Sequence, residues 1–289
     1  MKDRNERVAI FNETMRLCRE SPKLAETVRQ SIREQKIYWQ EDEVFYDSDG
    51  SNSSPKCTLS RKRTLEAARS YAMQKNKKVC VLNFASSVTP GGGVTRGASA
   101  QEESMCRIST LYPAISDKAT AGRFYEKHWQ MIHDGTMGRE NRDDCIYTPG
   151  VIVMREDTFD CALMPEEDWY AVDVITCAAP DQRGAGFGAL QQKSGQLMQL
   201  FEKRFSKILS VAAHNQVDIL ILGAFGCGAF CNPPEIVVRA FNNIISDFNG
   251  TSLKEIEFAV FANNPTNGNY QAFKKIKDIE EAPAAAGDR

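Results

Sequence analysis

The chain has 289 residues, and its 42% apolar and 26% charged content supports one large domain with an ordinary packed core. A net charge of -2 excludes long-range attraction to nucleic acid or an anionic membrane, so a polyanionic ligand must be caught locally, by backbone amides and helix ends. No apolar run reaches the ~18 residues of a membrane span, and the N-terminus MKDRNERVAIFNETMRL lacks the apolar core of a signal peptide.

The nine cysteines are an odd number in mostly apolar segments, the pattern of reduced thiols in a cytoplasmic protein. With three histidines and no CxxC or HExxH, no metal site is expected, and the lone CxxxC pair Cys227 and Cys231 reads as structural.

Residues 4 to 36 carry helical periodicity. Val8, Phe11, Met15 and Cys18 share one face, and Ser21 before Pro22 is an N-cap followed by proline in a first turn. DSDGSNSSPK (47 to 56) is a polar, turn-rich excursion, and TLEAARSYAMQKN is an amphipathic helix leading into the buried strand KKVCVLNFA. Strands are then predicted at 78–84, 145–154, 171–177, 217–223 and 255–262, and helices near 101–111, 117–132, 189–214, 233–248 and 268–278. These strands are apolar on both faces, which predicts an α/β three-layer α/β/α sandwich. Residues 1–75 read as an N-terminal helical extension packed on the core, 76–280 as the core itself and 281–289 as a frayed tail.

Two glycine loops carry the chemistry. Gly91-Gly92-Gly93 follows a predicted strand, and seven residues later comes Gln101-Glu102-Glu103. Consecutive glycines admit positive φ and close approach to the backbone, whose N–H groups suit phosphate or ribose oxygens; a plain surface turn is the bland alternative. The loop is neither a Walker loop nor a GxGxxG fingerprint. RGAGFGAL (183–190) imitates the latter, but it follows Pro180 and has no acidic partner about 20 residues on. Ser99 stands three residues before Glu102, the capping-box spacing, so Glu102 has a bland reading as a helix cap. Adjacent helix residues point about 100° apart, which favours different jobs for the two glutamates: one orients a ligand, the other transfers a proton.

The second loop is VDILILGAFGCGAF (217–230), an apolar strand running into a glycine-rich turn. CNPPEIVVRAFNNII follows, with Asn232 as N-cap, and a strand, a glycine loop and a helix N-terminus together suit phosphate. Phe225 and Phe230 are either core residues or covers for a sugar or base.

Together, PGGGVTRGASAQEES and GAFGCGAF resemble the macrodomain superfamily, specifically the bacterial type of poly(ADP-ribose) glycohydrolase, over roughly residues 5 to 278. The resemblance implies a macrodomain-type fold with a mixed central sheet that binds ADP-ribose, poly(ADP-ribose) or ADP-ribosylated macromolecules, without a cofactor. It also implies residue roles. Glu103 would be the general acid, and Glu102 would hydrogen-bond ribose hydroxyls. Gly91, Gly92 and Gly93 would approach the distal ribose and phosphates, with Asn83 and Gln101 in the same site. Gly223, Ala224, Phe225, Gly226, Cys227, Gly228, Ala229 and Phe230 would wrap the diphosphate, Phe230 lining the distal ribose. DVITCAAPD (173–181) resembles a further pocket segment. A monomer acting in the cytoplasm is expected, with no membrane partner and no sequence-specific nucleic-acid binding. A mono-ADP-ribosyl hydrolase, a non-catalytic ADP-ribose reader and a structural α/β domain are the alternatives; retention of both glutamates argues against a pure reader, because binding needs no proton donor.

Overall fold

The computed structural model describes residues 2–183 and 194–282. Two helices open the chain. α1 (Arg4–Glu20) starts in a capping box between Asp3 and Glu6, and α2 (Pro22–Glu34) starts from Ser21, whose side chain accepts from the Leu24 N–H. Phe11, Met15 and Cys18 are buried along α1, as the periodicity predicts.

The chain then enters the sheet earlier than expected. β1 (Lys36–Tyr38) pairs antiparallel with β4 (Cys145–Val153), and β2 (Lys56–Ser60) pairs parallel with β7 (Glu255–Ala259). Residues 1–75 are therefore not a purely helical extension: two of their segments are strands of the central sheet. The reason β2 is hidden in the sequence is chemical. Cys57 and Leu59 face the core, but Thr58 and Ser60 face Glu255 and Glu257, so the strand shows a polar face that is nevertheless covered. The polar excursion at 47–56 is tied down as well, through Asp49 N–H to Gly250 O and Gly250 N–H to Ser53 O.

α3 (Thr64–Ala72) leads into β3 (Val79–Phe84), and α4 (Gln101–Ile108) and α5 (Leu111–Ile115) follow the first glycine loop. α6 (Lys118–Ala121), a π-helical turn (Gly122–Glu126) and α7 (Lys127–His133) run on as one helical stretch, matching the helix predicted at 117–132. Next come β4, β5 (Tyr170–Cys177), α8 (Ser194–His214), β6 (Ile219–Leu222), α9 (Pro234–Ile244), β7, α10 (Gly268–Phe273) and the short β8 (Glu280–Glu281). Residues 189–193 of one predicted helix, 184–190 of RGAGFGAL and 283–289 of the expected tail lie outside the described residues.

The sheet order is β1-β4-β5-β3-β6-β7-β2-β8, antiparallel across β1, β4 and β5 and parallel from β5 onward. Alternation along each strand feeds two cores. Cys80 and Leu82 of β3 and Leu220 and Leu222 of β6 pack with α8, α9 and α10; Val79, Val81, Ile219 and Ile221 pack on the other face with α1, α3, α4 and α5. The result is the expected three-layer α/β/α sandwich around a mixed sheet. Parallel β3 and β6 are neighbours, so both glycine loops leave the sheet at adjacent carboxyl ends, where open α/β sheets bind ligands.

Candidate active site

The site is built outward from the end of β3. Asn83 is fully buried, and its Nδ2 donates to Glu102 Oε1 at 3.4 Å and to Thr176 Oγ1 of β5 at 3.3 Å. Gln101 holds the strand end to the helix that follows. Its Oε1 accepts from Phe84 N–H at 2.9 Å, and its Nε2 donates to Leu82 O at 2.8 Å and Thr64 Oγ1 at 3.1 Å. Its amide thereby fixes where α4 starts.

α4 does not use the expected cap. Ala100 is its N-cap with no side-chain hydrogen bond, and Ser99 forms no capping box with Glu102. The Glu102 side chain turns into the site instead, where its Oε2 accepts from Ser86 N–H at 2.8 Å. Glu103 Oε1 accepts from Gly93 N–H at 2.9 Å, while Glu103 Oε2 is buried with no hydrogen-bond partner. Both glutamates are nearly sealed from solvent, at 3% and 9% exposure.

The glycine triplet is explained by what a side chain would strike. A Cβ on Gly92 would lie 2.6 Å from Glu103 Oε1 and 2.9 Å from Glu102 Oε2, and its φ is +57°. The two carboxylates, though attached to adjacent helix positions, thus converge on one glycine. Gly91 sits against the Tyr112 ring, and Gly93 against Ala98.

Burial pushes the Glu102 carboxyl up to about 8, against the opposing hydrogen bond from Ser86 N–H and with support from the adjacent Glu103 charge. A proton is thus held within the site at neutral pH, where both carboxyl groups converge on Gly92.

A buried group behind the loop holds it in place. His128 Nδ1 lies 3.0 Å from Ser87 O, and its Nε2 lies 2.7 Å from Asp144 Oδ2. Both ring nitrogens face acceptors, so the ring makes both hydrogen bonds only when doubly protonated. Burial raises the Asp144 carboxyl, but the hydrogen bonds from His128 and Arg142 outweigh it and hold it below the usual carboxylate range.

The second loop forms one wall of a cavity of about 430 Å³, which it lines with Ala224, Phe225, Gly226, Gly228, Ala229 and Phe230. Phe84, Ala179, Phe261 and Asn269 complete much of the remaining wall, and the cavity reaches the start of α4 through Ala100 and Gln101. Its size is in the range of small-molecule sites. Gly223 and Cys227 are not among the lining residues: Gly223 is packed against Ala259 O and Phe84, and burial pushes the Cys227 thiol up to about 12. Phe225 is wholly buried among Phe84, Phe201 and Phe205, which makes it a core residue that also forms the cavity floor. Phe230 is half-buried, with the Arg183 guanidinium 4.7 Å from its ring centroid.

Asn232 is not the cap of α9, whose N-cap is Pro233. Its Nδ2 donates to Pro180 O at 2.7 Å and Gly226 O at 2.9 Å, tying the second loop to the segment after β5. A Cβ on Gly226, whose φ is +74°, would meet both Asn232 Nδ2 and Ala179 Cβ at 2.7 Å.

Residues 5–156 match the family described as the microbial-type PARG (poly(ADP-ribose) glycohydrolase) catalytic domain. The chain belongs to this family. Among solved structures, the poly(ADP-ribose) glycohydrolase of Thermomonospora curvata is 30% identical, with a TM-score of 0.81 over 95% of this chain and 100% of that one. The same enzyme bound to the inhibitor ADP-HPD gives a TM-score of 0.78 at 29% identity, covering 94% of this chain and 99% of that one. The poly(ADP-ribose) glycohydrolase of Deinococcus radiodurans in complex with ADP-ribose gives 0.72 at 27% identity, covering 86% and 95%. A comparison with curated protein sequences finds no match.

Within this microbial-type PARG site, several contributors carry no sequence signal. Ser86 and Ser87 look like ordinary loop residues. His128 and Asp144 are 41 and 57 positions from Ser87, and only the fold joins them. Phe261 and Asn269 lie beyond β7, outside both glycine motifs. Among the described residues, no helix is long and apolar enough to cross a membrane.

Proposed function

We infer that this chain is a poly(ADP-ribose) glycohydrolase in which Glu103 is the general acid and Glu102 positions the substrate. The observation that carries the role assignment is the free oxygen of Glu103. Glu103 Oε2 is buried without a partner, whereas both oxygens of Glu102 already accept hydrogen bonds. The raised pKa of Glu102 favours a second reading with the roles exchanged. Its two acceptor contacts weigh against that, because an acid must present its proton to the leaving oxygen.

In the reaction, the C1″–O bond between the distal ribose and the next unit's ribose breaks. Glu103, protonated in the ligand-covered site, gives that proton to the departing oxygen, and C1″ develops oxocarbenium-like character. The Glu103 carboxylate then takes a proton from water as the water oxygen bonds to C1″, which releases ADP-ribose and restores the acid. Gly93 N–H, donating to Glu103 Oε1, holds the carboxyl in place throughout. The 430 Å³ cavity beside α4 would take the rest of the ADP-ribose, with the diphosphate along Gly226 to Phe230, near the N-terminus of α9. The chain would act as a monomer, and its nine free thiols support a cytoplasmic setting.

The test is direct. The pure protein, incubated with labelled, automodified poly(ADP-ribose), should release free ADP-ribose. Binding without release would make it a reader, and release only from singly modified protein would make it a mono-ADP-ribosyl hydrolase.

A further inference from the structure

On the other side of α4 lies a second cavity, of about 270 Å³, that the reaction above does not use. Lys2, Arg7, Arg63 and Arg107 line it, and no aspartate or glutamate does. Among the described residues only Lys2 of these four makes an ion pair, with Glu6 at 3.6 Å. Arg7 Nε donates to Gly97 O at 2.7 Å, and Arg107 Nη2 donates to Ala98 O, so both are fixed by carbonyls that leave their charge uncompensated. Arg107 is 2% exposed, and its Nε is buried without a hydrogen-bond partner. Burial pulls the Arg107 pKa down from its usual value, and the Glu103 carboxylate, one helical turn away, is among the groups that oppose this. A guanidinium so placed favours an anion beside it.

The outer wall is aromatic. Phe159 and Phe261 are 42% and 41% exposed and meet edge to face, with the Arg63 guanidinium 4.4 and 4.2 Å from their ring centroids. Phe261 also lines the 430 Å³ cavity, so the two cavities share a wall. Cations interleaved with exposed rings form a surface for a phosphate-linked chain of bases.

We propose that this cavity is a second subsite, which holds a phosphate-bearing unit of the same polymer next to the unit whose bond Glu103 cleaves. The inference rests on the glycohydrolase reading and deepens it: the substrate is recognised as a polymer of nucleoside diphosphates, over more than one repeat. Single ADP-ribose occupies the first cavity alone, whereas the polymer also engages Arg7, Arg63 and the Phe159–Phe261 edge.

The experiment compares Arg63→Ala and Arg7→Ala with the wild-type full chain. It measures KM for poly(ADP-ribose) and Kd for ADP-ribose at low and moderate salt. Each variant should raise the polymer KM about 5- to 10-fold and flatten its salt dependence, while Kd for ADP-ribose stays within about twofold. The unchanged Kd also certifies that the variant is folded. An equal loss of ADP-ribose affinity would show that the arginines serve the first unit, and an unchanged polymer KM would show that they serve none; either overturns the subsite while leaving the glycohydrolase reading intact. Failure of the wild type to release ADP-ribose would sink that reading, and the subsite with it.

Discussion

The two glycine loops leave adjacent parallel strands and each run to a helix, yet they are built for opposite tasks. The first, residues 85–100, sets its central glycine against acid groups: Gly92 faces both carboxyls, and Gly93 N–H and Ser86 N–H each hold one of them. The second, residues 223–231, packs its glycines against neutral groups: Ala259 O, Ala179 and the Asn232 amide. Within it, burial pushes the Cys227 thiol up to about 12 and keeps it neutral. Sequence spacing alone makes the loops look equivalent. What separates them is the group that each glycine makes room for: proton chemistry in the first, shape and backbone donors in the second.

Substitutions at matching positions should break the comparison in different observables. The largest effect, short of removing the acid itself, is expected at Gly92→Ala. The new Cβ meets the far ends of two flexible side chains and sits at a φ of +57°, a backbone strain of about 1–2 kcal/mol that a stable domain tolerates, while both carboxyls are displaced. Turnover of poly(ADP-ribose) should fall about 10²-fold, the cost of moving catalytic groups by about 1 Å. Near-normal turnover would show that the carboxylates need no such closeness.

Next in size is Gly226→Ala, whose Cβ would press on Asn232 and Ala179. Here Kd for ADP-ribose, read by calorimetry, should rise about 10-fold, with kcat at saturation within about threefold. A loss confined to kcat would mean that the second loop also shapes the reaction.

The smallest effect sharpens the electrostatic half of the contrast. Glu102 keeps its proton up to about pH 8 when folded, against an ordinary value of 4.5. Its contribution to stability is thus fully present below about pH 4.5 and is lost as pH rises through about 8, because the unfolded chain releases that proton first. The Tm of the ligand-free protein should drop between pH 5 and pH 8 by about a few degrees more than that of Glu102→Gln, which cannot ionise. Parallel pH profiles would show that Glu102 does not hold the proton.

How much of this was legible in the sequence depends on which contacts are local. The glutamates, the triplet and the second loop lie within two short stretches, and their residue types announce backbone exposure and acid chemistry. Ser21 capping α2 was equally readable, because cap and helix are adjacent. Ser99 and Asn232 carry the same signal, yet neither caps its helix: Ala100 and Pro233 adopt the extended cap conformation, and the Asn232 side chain is drawn to Pro180 O and Gly226 O. β2 was illegible because its polar face is satisfied by Glu255 and Glu257, nearly 200 residues away. The His128–Asp144 support of the loop was illegible for the same reason.

The division of labour is tested most directly by one variant, Glu103→Gln, with turnover of labelled poly(ADP-ribose) and ADP-ribose affinity measured on the same preparation. Turnover should fall about 10²- to 10⁴-fold with Kd for ADP-ribose within about threefold. Retained turnover, or affinity that falls in step with turnover, would contradict that division.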